Sequence, residues 1–182
     1  MKHIQSMKPQ DILVLLGVLQ APMKWRHADL AMELGLSQSE VTTSLERSRL
    51  AGLIDDDKRT VFRKALLEFI EHGLRYVFPA KPGPIVRGVP TAYSAPPLSD
   101  TIRTTEMDTM VWPSPDGYQR GQAIEPLYPS VPAAAMRNPQ LHMMLALIDA
   151  IRIGQARERT LAINALRDTM NREVHGQEPS RK

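Results

Sequence analysis

The chain has 182 residues, 42% of them apolar and only 5% aromatic, and it contains no cysteine. That composition calls for an aliphatic core and excludes disulfides, zinc–thiolate centres and thiol catalysis. The formal charge of +3 and the pI near 9.3 lean toward an anionic partner without the strong cationic excess of many nucleic-acid proteins.

The opening MKHIQSMKPQ has no long apolar run, and ILVLLGVL is too short to cross a bilayer. The expectation is a cytoplasmic, bacterial-type protein with no membrane association. Pro9 suits the first turn of a helix, where its missing N–H is not needed. DILVLLGVLQ is apolar nearly all round, which predicts a buried helix that Pro22 ends. A second helix is predicted from about Arg26 to Leu34, with Leu30, Ala31 and Leu34 on one face and Gly35 closing it.

The third helix opens at Ser37, because Ser37-Gln38-Ser39-Glu40 is an S-x-x-E capping box. Ala31 is small where two crossing helices approach, Gly35 makes the turn, and Val41 and Leu45 face the interior. Gln38, Ser39, Thr42, Thr43 and Arg47 then fall on the opposite side, as short polar groups and one cation suited to base edges and phosphates in a major groove. Glu40 belongs to the cap.

ADLAMELGLSQSEVTTSLERSRLAGLI resembles the winged helix-turn-helix regulators of the MarR-like type. The resemblance covers roughly residues 9 to 60. It implies a leading helix, a helix pair and an AGLI exit that feeds a two-stranded wing, and it implies binding to double-stranded DNA as a homodimer. Helix pairs of this kind also serve in proteins that bind only other proteins.

After AGLI the chain departs from that pattern. VFRKALLEFIEH has Phe62, Leu66, Phe69 and Ile70 at helical spacing, which predicts a helix from about Thr60 to His72 ended by Gly73. The wing is therefore expected to be absent or displaced. LRYVFPAKPGPIVRGVP reads as strand, turn and strand, a hairpin carrying Lys81 and Arg87 for phosphate or minor-groove contact. The same letters also fit an ordinary solvated Pro-Gly turn.

From Phe78 to Pro139 prolines recur every few residues, which argues against long helices and central strands. TMVW and YQRG flank Pro-Ser-Pro-Asp-Gly as a possible hairpin anchored by Trp112 and Tyr118. Beyond it, Asn138 can cap a helix that begins at Pro139, with Leu141, Met144, Leu145, Ile148 and Ile151 as an apolar stripe. Gly154 breaks that helix and another follows, giving a helical hairpin for dimerisation, partner binding or internal bracing. Arg152, Arg157 and Arg159 cluster at the break, as surface charge or as a nucleic-acid contact. PLYPSVP and LALIDAIRIGQARER are loosely similar to bacterial regulators encoded beside toxin or defence genes.

The fold class expected is mainly α with small β. It has a winged helix-turn-helix domain over 1–95, a proline-rich connector with short strands over 96–138, and a helical region over 139–182. His3, His27, His72, His142 and His175 show no metal-ligand spacing, and no phosphate loop or nucleophile elbow occurs. No catalytic residue, metal or cofactor is expected. The function expected is sequence-specific DNA binding by a transcription regulator, a repressor in the first instance. The alternative is a protein-interaction module, such as an antitoxin, acting through the C-terminal helices.

Overall fold

The computed structural model describes residues 6–175, which form eight α-helices and a small three-stranded sheet. The N-terminal helix α1 (Pro9–Gln20) is buried from Asp11 to Leu19 and packs against α2 (His27–Leu34), α3 (Gln38–Leu50) and α7 (Pro139–Ile153). Gly17 is what lets α2 close on α1: a Cβ there would lie 2.8 Å from Leu30 Cδ1 and 2.9 Å from Leu34 Cδ1. Gly35, at φ +67°, takes the left-handed conformation that ends α2, and its N–H donates to Ala31 O.

The exit from α3 leads to a tight hairpin. Leu53 and Ile54 return opposite Val61 and Phe62 through a single antiparallel bridge, Ile54 to Val61. The Asp55 carboxylate accepts from the backbone N–H groups of Arg59 (2.7 Å) and Thr60 (3.0 Å), which shapes the turn. A minimal two-stranded element thus occupies the place where the sequence pattern led us to expect none. The next helix, α4 (Arg63–His72), follows as predicted and ends at Gly73, and a one-turn helix α5 (Leu74–Val77) comes after it.

That short helix overturns the displaced hairpin expected over residues 74–90. Leu74–Val77 is helical and not a strand, so the hairpin with Lys81 in its turn and Arg87 on its second strand is not formed. Leu74 is fully buried, and this packing against the core outweighs the strand-like letters RYVF. Lys81 lies exposed in the irregular segment before β1 (Ile85–Pro90). Arg87 turns back on the sheet, its Nε donating to Gly117 O at 2.5 Å.

Strand β1 is antiparallel to both β2 (Met110–Pro113) and β3 (Gln119–Ala123), pairing with β3 through its first half and β2 through its second. β2 and β3 are parallel, with Met110 opposite Gln122, so the three strands close on themselves. The antiparallel hairpin expected at WPSPDGYQ is therefore not formed. Trp112 is buried as an anchor, whereas Tyr118 is exposed.

α6 (Val131–Arg137), α7 and α8 (Ala156–His175) complete the chain order. Asn138 caps α7 by accepting from Leu141 N at 3.0 Å. The stripe Leu141, Met144, Leu145, Ile148 and Ile151 is covered by the chain's own α1, α6 and α8, so it forms the middle of the core and no free dimer surface. One apolar cluster takes residues from all three compositional zones. Inside it, Asp149 accepts from Thr91 Oγ1 (2.9 Å), Trp112 Nε1 (2.5 Å) and Arg152 Nη1 (2.7 Å), bolting the sheet to α7. Burial raises the Asp149 carboxyl above the usual range, with those donors pulling the other way. No helix among the described residues is long and apolar enough to cross a membrane.

Candidate nucleic-acid interface

The N-terminus of α3 is fixed by the capping box that the sequence shows. Ser37 Oγ accepts from Glu40 N at 3.2 Å, and Glu40 Oε2 accepts from Ser37 N at 2.8 Å. With the start of the helix set, Gln38, Ser39, Thr42 and Thr43 all come to the exposed face. Thr42 Oγ1 donates to Gln38 O and Thr43 Oγ1 to Ser39 O, each at 2.8 Å. Both hydroxyl protons are spent on the helix, so these oxygens are left as acceptors beside exposed methyl groups. The Gln38 amide supplies donor and acceptor together.

Arg47 does not belong to this face, contrary to the sequence expectation. Its side chain is 3% exposed, and its guanidinium meets the Asp11 carboxylate of α1 with Nη2 2.5 Å from Oδ1 and Nε 2.8 Å from Oδ2. Ser44 Oγ donates to Asp11 Oδ1 at 2.7 Å, and Lys8 N donates to Oδ2 at 2.8 Å. The carboxylate is thus fully partnered inside the core. α3 buries a wide face, Val41, Ser44, Leu45, Arg47 and Ser48, because α1 offers it a charge as well as apolar surface. The signal was present in DILVLLGVL, where one acid sits in an otherwise apolar helix and needs a partner.

A second group of side chains borders the face. The Arg59 guanidinium lies 4.3 Å from the Trp25 ring centroid and its Nη1 donates to Trp25 O at 2.7 Å. Trp25 stacks on His27 with centroids 5.6 Å apart, and His27 Nδ1 is 3.1 Å from Thr42 Oγ1. Because the Thr42 hydroxyl proton already points at Gln38 O, His27 Nδ1 carries the hydrogen in this contact. Partial burial, then the charges of Arg59 and Lys58, hold the His27 pKa below its ordinary value, so the ring is neutral near pH 7. The tight hairpin, the start of α2 and the exposed face of α3 are therefore mechanically joined. None of Trp25, His27 or Arg59 was singled out from sequence for this role; the cue was an aromatic, a cation and a histidine in succession at Trp25-Arg26-His27.

Both acidic groups on α3 are partnered locally. Glu46 pairs with Arg49 at 2.8 Å and Lys58 at 2.7 Å, and these contacts depress its carboxyl to about 2. Glu40 is held below the ordinary carboxylate range, first by the hydrogen bond from the Tyr128 hydroxyl and then by Ser37. The segment around Tyr128 also locks the turn before α3, since Ser130 Oγ donates to Leu34 O at 2.6 Å and Arg137 Nη2 to Glu33 O at 2.9 Å. Among the C-terminal arginines, Arg152 is buried, Arg159 Nη1 donates to Gly154 O, and Arg157 is exposed. Among the described residues no group of three or more His, Asp or Glu has the arrangement of a metal site. The chain gives no significant match to any known family, curated protein or solved structure.

Proposed function

We propose that this chain is a sequence-specific DNA-binding transcription repressor of the winged helix-turn-helix, MarR-like type, with α2 and α3 as the helix pair. The observation that carries this reading is the exposed quartet Gln38, Ser39, Thr42 and Thr43 on the first turns of a helix whose start is fixed by a double cap. Short polar side chains in that position suit contact with base edges, and threonine methyl groups suit the thymine methyl. The reading takes the tight hairpin over residues 53–62 as a minimal wing, with Arg59 held against Trp25 at the edge of the helix pair. As a homodimer the protein reads two half-sites one helical turn apart, roughly 34 Å.

The competing role, a partner-binding module built on the C-terminal helices, loses the apolar face of α7, which lies in the core. The experiment is a gel shift with the DNA upstream of the protein's own coding sequence against a shuffled duplex of equal length. Selective, salt-sensitive retardation is the expected result. Equal retardation of both duplexes, or none, contradicts the proposal.

A further inference from the structure

A groove of 470 Å³ opens between the start of α1, the Phe78–Pro79 segment, the 125–129 segment and the C-terminal half of α7. Its walls are chiefly proline rings, with Phe78 and Tyr128 among them. Prolines give a rigid wall that offers apolar surface and no N–H donor. Into this wall comes one cationic side chain, Arg152, only 5% exposed. Its Nε donates to Phe78 O at 2.9 Å, and its Nη1 to Glu125 O at 3.0 Å and Asp149 Oδ1 at 2.7 Å. Nη2 donates to no acceptor among the described residues, which leaves one oriented donor for an occupant.

We propose that this groove is a binding site for a small, uncharged, largely apolar molecule carrying one carbonyl-type oxygen, which accepts from Arg152 Nη2. The charge balance selects against an anion: Asp149 already neutralises the guanidinium, and Glu125 adds a negative charge at the rim. The volume lies in the range of ordinary small-molecule sites, where apolar walls and a few fixed polar groups share the work. The groove also has a path to α3. Tyr128 forms part of its wall, and the Tyr128 hydroxyl donates to Glu40, the residue that caps α3. An occupant that shifts the Tyr128 ring alters the support of the reading face, a consequence that rests on the proposed DNA-binding function.

The test uses the full chain labelled with ¹⁵N, acetanilide as the probe and n-propylbenzene as a matched compound with no acceptor. Acetanilide is expected to shift the Arg152 Nε–H signal and the Leu127 and Tyr128 amides saturably, and to bind roughly tenfold more tightly than n-propylbenzene. Arg152→Lys, which keeps a cation beside Asp149 but loses the forked donor, is expected to remove that preference. Absence of saturable shifts at these residues, or equal binding of the two compounds to the unaltered protein, overturns the proposal even if the variant does not fold. A second arm measures DNA affinity with and without acetanilide, which is expected to change for the unaltered protein and not for Tyr128→Phe. Should the protein bind no DNA at all, the proposed function fails, and the groove stands or falls on the spectra alone.

Discussion

Arg47 of α3 and Asp11 of α1 meet inside the protein, 36 residues apart in the chain, through a doubly hydrogen-bonded ion pair that also takes in Ser44. This contact sets the rotation of α3 about its own axis. Turning Arg47 outward would leave Asp11 buried and unpaired, so the face opposite Arg47 is held toward solvent. Arg47→Ala is expected to cost about 3–5 kcal/mol in urea unfolding, since it strands a buried carboxylate. The pair Asp11→Leu with Arg47→Met should recover most of that loss. A single substitution that proves harmless would show that the pair does not orient the helix.

Ser48 lies one residue further along the same buried side, fully enclosed, and its Oγ has no partner among the described residues. Removing an unsatisfied buried hydroxyl relieves a desolvation cost of about 1–3 kcal/mol, against which the small cavity left behind counts. Ser48→Ala is therefore expected to raise the urea midpoint modestly, with the slope of the transition unchanged. A lowered midpoint would mean that Ser48 has a partner in solution.

His27 offers a titration. Its folded pKa lies below the ordinary histidine value, so its contribution to stability is present above that ordinary value and is lost as pH falls through the folded one. Arg59→Ala removes a nearby cation and is expected to move the His27 midpoint upward, though not to the unburied value, because partial burial is the larger cause. Long-range ¹H–¹⁵N spectra should show Nδ1 protonated in the neutral ring. An Nε2-protonated ring would break the link drawn from His27 to Thr42.

Tyr128→Phe removes the first of the hydrogen bonds that hold Glu40 low while leaving the two from Ser37. The Glu40 carboxyl midpoint, read from side-chain ¹³C shifts, is expected to rise part of the way toward the ordinary range. Because its folded pKa is depressed, Glu40 stabilises the fold above the ordinary carboxylate pKa and loses that contribution as pH falls below it. The variant should thus narrow the difference in stability between neutral and acidic pH. An unchanged midpoint would mean that Tyr128 does not hold Glu40 in solution.

Much of the first 72 residues was legible because each helix carries its own punctuation. Pro9, Gly35, the Ser37–Glu40 box and Gly73 mark boundaries that depend on local backbone chemistry, and the structure places them so. Asn138 and Gly154 did the same for α7. What failed depended on distant partners. Arg47 looked like a surface cation because nothing near it in sequence reveals Asp11. The letters of Leu74–Val77 favour a strand, and only burial of Leu74 makes them a helical turn. The parallel pairing of β2 with β3 rests on β1, which is contributed from twenty residues or more upstream, and no local pattern encodes it. The hairpin at 53–62 was missed because a single bridge leaves almost no alternation to read.

The central claim is that Gln38, Ser39, Thr42 and Thr43 read DNA. Its most direct measurement is selection of bound duplexes from a random library, followed by affinities of the selected site for the unaltered protein and for Gln38→Ala and Thr43→Ala. Both substitutions lie at exposed positions and should change folding stability by no more than about 0.5 kcal/mol. Each is expected to weaken the selected site by about 1–3 kcal/mol and to relax preference at one base position, leaving affinity for random duplex unchanged. Recovery of no preferred site, or variants that bind the selected one as tightly as the unaltered protein does, would contradict the account.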